Sequence, residues 1–397
     1  MRRFDLLLAL GCSATTLACG AILGLQEPTI DDTIEAGGKD SGGGDTSTDV
    51  PNTCGADLQS DAKNCGKCGH DCLGGTCSSG ACQPVLVTSS TSLAPYAMTM
   101  AGTDLIFTNV RGTSLATVFK VAANATNGNP TQLVDYGTGY TTPLVDGYPY
   151  GVAAQGTDFY TSITANGGSG GNWEAGVDRC PQTGCTQKTV AFYGVNSSAV
   201  TTSSSNVFFG SYDTNDVYIV QMANLDMSNR QTIASPASEV LGILFDGGDL
   251  FYATTDGVFH CKGTTCDTAA ITQGQAIDAE LLAADSANVY FTSLPSADVP
   301  TVQSVARAGG LPKLISNKPM LPFAVATDGT NVYFTDIGDI NVSTTGAVYR
   351  CPVTGCNGNE ELLSNGAAAG DNPRPIVVDA QFVYWGTRGG KIWRLAK

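Results

Sequence analysis

The stretch Phe323-Ala324-Val325-Ala326-Thr327-Asp328-Gly329-Thr330-Asn331-Val332-Tyr333-Phe334-Thr335-Asp336 reads as two short strands folded back on each other. Apolar side chains alternate on either side of a turn built from Asp, Gly and Asn, residues that tolerate the backbone a tight hairpin needs. After a loop, Gly346-Ala347-Val348-Tyr349-Arg350-Cys351 supplies a third strand and Glu361-Leu362-Leu363 a fourth. The unit recurs. Equivalents of Phe334 stand at Phe107, Tyr160, Phe209, Tyr252, Phe291 and Trp385, with gaps of 53, 49, 43, 39, 43 and 51 residues. A period of ~40–50 residues is that of a four-stranded propeller blade. The expected fold is therefore all-β: a seven-bladed β-propeller over residues 83–397.

The last repeat ends early. Lys391-Ile392-Trp393-Arg394-Leu395 is its third strand, and no fourth follows. Far upstream, Gln83-Pro84-Val85-Leu86-Val87-Thr88 looks like a fourth strand lacking the other three, so residues 83–89 are expected to complete the last blade. Such a closure removes an exposed sheet edge. The run Val332-Tyr333-Phe334-Thr335-Asp336 resembles the YWTD-type repeats of lipoprotein-receptor propellers and related bacterial repeats. A single repeat keeps the final Asp, and YWTD propellers have six blades, so the resemblance implies architecture and not receptor biology.

Composition agrees with many short strands. Gly accounts for 48 of 397 residues and charged residues for 14%, too few for long amphipathic helices. The net charge is −16 and the pI near 4.3, with no basic stripe to track phosphates, which argues against a nucleic-acid partner.

Arg2 and Arg3 precede an apolar run starting at Leu6, the layout of an export signal. The run Thr16-Leu17-Ala18-Cys19-Gly20 then resembles a bacterial lipobox, implying that Cys19 is acylated and that residues 1–19 form the signal segment. Cys12 is the second candidate but leaves a short apolar run. Simple cleaved secretion and a retained helix over Leu6 to Leu25 are the competing readings. Residues 20–53, acidic and rich in Gly, Ser and Thr, cannot bury a core and are expected to be a disordered linker. The chain is thus expected at the outer membrane or cell surface, lipid-anchored and monomeric.

Residues 54–82 hold Cys54, Cys65, Cys68, Cys72, Cys77 and Cys82. So short a stretch needs staples, and three disulfides are expected, with 15 connectivities open. The run Asn64-Cys65-Gly66-Lys67-Cys68-Gly69-His70-Asp71-Cys72 resembles the Stig1-like cysteine-rich module, which implies an extracellular adhesive or receptor-binding unit. A zinc set of Cys65, Cys68, His70 and Cys72 has spacing tighter than usual and leaves two Cys over. Three further pairs follow third strands: Cys180 with Cys185, Cys261 with Cys266, and Cys351 with Cys356. They are expected to bridge the turn to the fourth strand as structural disulfides, since redox pairs favour C-x-x-C.

The sequence carries no familiar catalytic signature. Two histidines, His70 and His260, and three tryptophans are too few for a His-based metal or relay site or for quinone-cofactor docking. No cofactor is implied, although a structural calcium ion on carbonyls and Asp would leave little trace. The reading is a non-catalytic envelope protein binding a glycan or protein ligand. A carboxylate-based hydrolase or lyase, and a structural role in a surface matrix, are the alternatives. The ligand is expected on the face made by the loops from second to third strand and from fourth strand to the next blade, with Trp173, Tyr140 and Tyr148 as contacts.

Overall fold

The computed structural model describes residues 54–110, 116–136, 147–165, 176–185, 199–212, 217–273, 278–295, 299–339, 345–365 and 372–397. The signal segment with Cys12 and Cys19, and the linker, lie outside the described residues. All regular structure within them is β.

Seven antiparallel sheets follow one another, and we letter the strands of each A to D from the inside outward. Blade 1 is Pro95–Ala101, Asp104–Val110, Ala116–Ala122 and Thr131–Asp135; blade 2 shows Gly147–Gln155, Asp158–Ala165 and Gly176–Pro181. Blade 3 is Val200–Thr202, Asn206–Tyr212, Tyr218–Asn224 and Gln231–Ala234. Blade 4 is Gly242–Asp246, Asp249–Thr254, Gly257–Lys262 and Thr265–Cys266. Blade 5 is Ala279–Ala284, Asn288–Ser293, Thr301–Ala306 and Lys313–Ser316; blade 6 is Pro322–Thr327, Asn331–Asp336, Ala347–Pro352 and Glu361–Asn365. Blade 7 takes Pro373–Val378, Phe382–Thr387 and Lys391–Ala396 from the end of the chain and its strand D, Val85–Ser89, from upstream. Leu86 pairs with Trp393 and Thr88 with Ile392 across that seam. Each strand A meets the strand A of the next blade, and that of blade 7 meets that of blade 1, which closes the ring.

The recurring strand B aromatics are the core. Phe107, Tyr160, Phe209, Tyr252, Phe291, Phe334 and Trp385 are all buried, because strand B is covered by a blade on each side. Phe107, for example, packs with Phe382, Tyr384 and Ile392 of blade 7. The A–B turn also recurs chemically in blades 5, 6 and 7. Asp285, Asp328 and Asp379 each accept two backbone N–H groups of the turn on one carboxylate oxygen. The other oxygen accepts the hydroxyl of Tyr290, Tyr333 or Tyr384 at 2.6, 2.9 and 2.9 Å. One carboxylate thus caps the turn and satisfies a phenol whose ring is in the core.

In the cysteine-rich segment the bonds are Cys54–Cys68, Cys65–Cys77 and Cys72–Cys82. With these thiols bonded, and the ring nitrogens of His70 facing the carbonyl oxygens of Cys65 and Lys397 at 2.7 and 3.1 Å, the segment offers no zinc set. The blade disulfides differ from one another. Cys261 and Cys266 are register partners across the C–D turn of blade 4. In blades 2 and 6, by contrast, Cys185 and Cys356 sit in a loop lying against the preceding blade, where their N–H groups donate to Leu133 and Ile315 carbonyls at 2.9 and 3.0 Å. Gly184 and Gly355 of the shared Arg-Cys-Pro-x-Thr-Gly-Cys run have positive φ, and a Cβ there would stand 3.2 and 2.9 Å from the Leu133 and Leu314 carbonyl oxygens. The motif staples one blade to the one before it rather than simply closing a hairpin.

Candidate functional site

The innermost strands depart from regular pairing at one place. In blades 1, 2, 5, 6 and 7 the A–B register slips between Pro95 and Met98, Pro149 and Gly151, Ala279 and Leu282, Pro322 and Val325, and Pro373 and Ile376. Four of these bulges begin at proline, which has no N–H to give the ladder. The residues after the bulge starts are Tyr96, Tyr150, Glu280, Phe323 and Arg374, each half-buried.

A hydroxyl holds the bulge. The Thr that follows the strand B aromatic accepts the N–H that bulging has freed: Ala97 to Thr108 at 3.0 Å, Leu281 to Thr292 at 3.2 Å and Ala324 to Thr335 at 3.1 Å. In blade 2 Ser162 accepts Gly151 N–H at 2.8 Å, and Thr161 donates to the Gly151 carbonyl at 2.8 Å. Thr335 also donates to the Arg374 carbonyl at 2.7 Å, tying the bulge of blade 6 to that of blade 7.

These bulged side chains converge. The rings of Tyr96 and Tyr150 lie edge to face at 5.0 Å, and those of Tyr96 and Phe323 at 5.3 Å. Tyr96 is on blade 1 and Phe323 on blade 6, with blade 7 and its Arg374 between them. The guanidinium carbon of Arg374 stands 5.4 Å from the Tyr96 ring centre and 5.7 Å from that of Phe323, within cation–π range. Its Nε is buried without a hydrogen-bond partner. Burial lowers the Arg374 pKa, and Arg388 adds to the effect. Burial likewise pushes the Tyr96 phenol up to about 12, against the pull of Arg374. Strand A begins at the D–A connection, so this cluster lies toward the face of the D–A and B–C loops.

Of the residues expected to touch ligand, Trp173 and Tyr140 lie outside the described residues. Tyr148 falls on Gly147–Gln155, opposite Thr164 and two positions before Tyr150. Neither histidine joins the axial cluster. His260 is on strand C of blade 4, its ring nitrogens 3.4 Å from Asp249 and 3.1 Å from Asp267, and His70 belongs to the cysteine-rich segment. The axial residues were missed from sequence, although the pairs Pro95-Tyr96, Pro149-Tyr150, Pro322-Phe323 and Pro373-Arg374 recur at one point of the repeat.

The architecture is that of a seven-bladed propeller, and solved structures share it. Virginiamycin B lyase from Staphylococcus aureus is similar at 14% identity over 79% of this chain and 98% of its own, with a TM-score of 0.57. Its catalytically inactive histidine-to-alanine variant with quinupristin gives 0.56 at the same identity and coverage. The extracellular domain of the hybrid two-component system BT4673 from B. thetaiotaomicron gives 0.53 at 9% identity, over 78% of this chain and 39% of that one. At such identities the likeness is one of fold. No protein-family model and no curated protein sequence matches the chain.

Proposed function

We propose that the protein is a non-catalytic binding propeller of the bacterial cell envelope, exported and held to a membrane by a lipidated Cys19. It takes a glycan or protein ligand at the D–A and B–C face, with Trp173 and Tyr140 of the loops and Tyr148 at the start of strand A of blade 2 as contacts. The observation that carries this reading is the axial cluster, in which five blades bend their innermost strands to bring Tyr96, Tyr150, Glu280, Phe323 and Arg374 inward. Bulges that re-aim side chains are a recurrent device at functional sites. The six disulfide bonds, a framework that reducing compartments disfavour, and the acidic composition support export. A lyase reading drawn from the fold neighbour would need its own chemistry, and both histidines here are engaged away from the axis.

The test is a glycan and peptide array probed with the exported chain. A saturable ligand should emerge that is recovered unaltered after incubation, and Trp173→Ala or Tyr140→Ala should weaken it ~10-fold if each ring supplies ~1–2 kcal/mol. A ligand that is chemically converted would make the protein an enzyme, and the absence of any saturable ligand would favour the matrix role.

A further inference from the structure

We propose that the cysteine-rich segment is a proton-dependent clasp over the seam of the ring, with His70 as its switching group. Its action is on closure of the ring, whatever the ring binds.

The segment is seated on blade 7. Leu73 packs against the core cluster between blades 7 and 1 that holds Val87, Leu93, Phe382 and Ile392. Cys82 packs against the cluster between blades 6 and 7 that holds Val383, Trp385 and Leu395. A Cβ at Gly74 would stand 3.7 Å from Nη2 of Arg394, whose Nη1 donates to the Ala123 carbonyl beside blade 1 at 3.1 Å. The Cys72–Cys82 bond, and the Gln83 N–H donated to the Thr76 carbonyl at 2.8 Å, join the segment to the start of Val85–Ser89, the strand that completes blade 7. What loosens the segment therefore also loosens the cover of the strand that closes the ring.

His70 fastens the segment to the opposite side of that seam. Its Nδ1 is 2.7 Å from the Cys65 carbonyl oxygen, and its Nε2 is 3.1 Å from that of Lys397, which follows strand C of blade 7. Both oxygens only accept. A neutral imidazole has one N–H and one lone pair, so it donates to one oxygen and turns its lone pair on the other. The imidazolium donates to both. Gaining a proton thus adds a charge-assisted bond to the contact between segment and ring.

The charged groups around this contact have partners of their own. In the segment Lys63 pairs with Asp71 at 2.7 Å, and that bond first, with the Leu73 N–H next, holds the Asp71 carboxyl below its ordinary 3.8. On the ring Lys397 Nζ pairs with Asp328 at 2.9 Å, Asp328 also accepts the Tyr333 hydroxyl, and Asp379 accepts that of Tyr384. Carboxylates, lysines and tyrosines ordinarily keep their charge state between about pH 5 and pH 8, where histidine changes its own. The chain has two histidines, and His260 lies between Asp249 and Asp267 of a single blade, so its protonation draws no second element onto the ring. Because the closed clasp holds the extra proton, the seam tightens as pH falls through the histidine range and loosens as it rises.

The test is hydrogen exchange of the full chain under oxidising conditions at about pH 5.5 and about pH 8, read by mass spectrometry as protection relative to the intrinsic rate at each pH. Residues 66–75 and 83–89 should be about tenfold or more better protected at the lower pH, the worth of one bond to a charged group. In His70→Gln, which keeps a donor but does not titrate, protection there should be equal at the two pH values. His260→Gln leaves His70 as the sole histidine and should keep the full response, and this arm decides the matter if His70→Gln does not fold. Equal protection at both pH values in the parent, a response that persists in His70→Gln, or one abolished in His260→Gln would each overturn the clasp.

Discussion

Replacing Thr335 by valine tests the link between blade register and the axial cluster with almost no change in shape. The Thr335 side chain is fully buried. Its hydroxyl accepts the Ala324 N–H at 3.1 Å and donates to the Arg374 carbonyl at 2.7 Å. Valine removes both bonds at once and strands one donor and one acceptor away from water. Each such orphan costs ~1–3 kcal/mol, and partial relaxation of the bulge brings the sum to ~2–4 kcal/mol. For a domain of this size that is a fall in melting temperature of roughly 3–6 °C. Thr292→Val in blade 5 is the matched comparison. That hydroxyl has one bond to a bulge, from Leu281 N–H at 3.2 Å, so about half the loss is expected. Differential scanning calorimetry under oxidising conditions reads both variants. If Thr335→Val melts within ~1 °C of the parent, or if Thr292→Val is the more damaging change, the bulge is not held by these hydroxyls and the argument fails.

Asp328 gives a pH signature. Burial pushes its carboxyl up, but the Asn331 and Thr330 N–H groups, Lys397 and Tyr333 outweigh this and bring it to about 2 from the ordinary 3.8. A depressed carboxyl stabilises the fold above its unfolded pKa and loses that contribution as pH falls through the folded one. Asp328→Asn should therefore cost ~2 kcal/mol at pH 7, with the difference from the parent closing between about pH 4 and pH 2 in urea titrations; a gap independent of pH would rule this out. Deleting residues 83–89 removes the strand D ladder to Lys391–Ala396 and the buried Val87 and Thr88, and should cost several kcal/mol; melting unchanged within a few degrees would show the seam to be dispensable. Cys19→Ser should stop fatty-acid labelling and release the protein from membranes, whereas loss of label only in Cys12→Ser would move the anchor to Cys12.

The ring was legible in the sequence because its determinants repeat and are local. Phe334 and its six equivalents must fill the space between two blades, and Asp328-Gly329-Thr330-Asn331 must turn the chain, so both leave marks at the blade period. The missing fourth strand after Leu395 was a counting argument of the same kind. Less was legible in the disulfides of blades 2 and 6. Their loops lie against Leu133 and Ile315, tens of residues away, and nothing local distinguishes that from a closed hairpin. The axial cluster was hidden for a geometric reason. Strand reading assumes that side chains alternate with period two, and a bulge inserts one residue and switches the face on which the next side chain emerges. Phe323 therefore reads as an ordinary apolar strand position, and Arg374 stands between Pro373 and Pro375 with nothing local to set it apart.

The two faces of the ring also differ in how completely their polar groups are matched, and this favours one of them for binding. On the A–B and C–D face, Asp285, Asp328 and Asp379 are satisfied by turn N–H groups and tyrosines. Arg307 bridges from blade 5 to Asp246 and Asp249 of blade 4, Arg179 meets Asp158, and Arg350 grips Glu361 with both ends of its fork. The cysteine-rich segment also contacts this side, through His70 at the Lys397 carbonyl. On this face those carboxylates and guanidiniums are already spent on one another and on the backbone. Toward the other face, Asp336 is likewise consumed by the N–H groups of Met320, Leu321 and Gly338 and fixes the D–A corner of blade 6. Beside that fixed corner stands Arg374, desolvated and facing rings. Toward that face the bulged inner strands re-aim Tyr96, Tyr150, Phe323 and Arg374, whereas the carboxylates and guanidiniums named on the opposite face are already paired with one another or with the backbone.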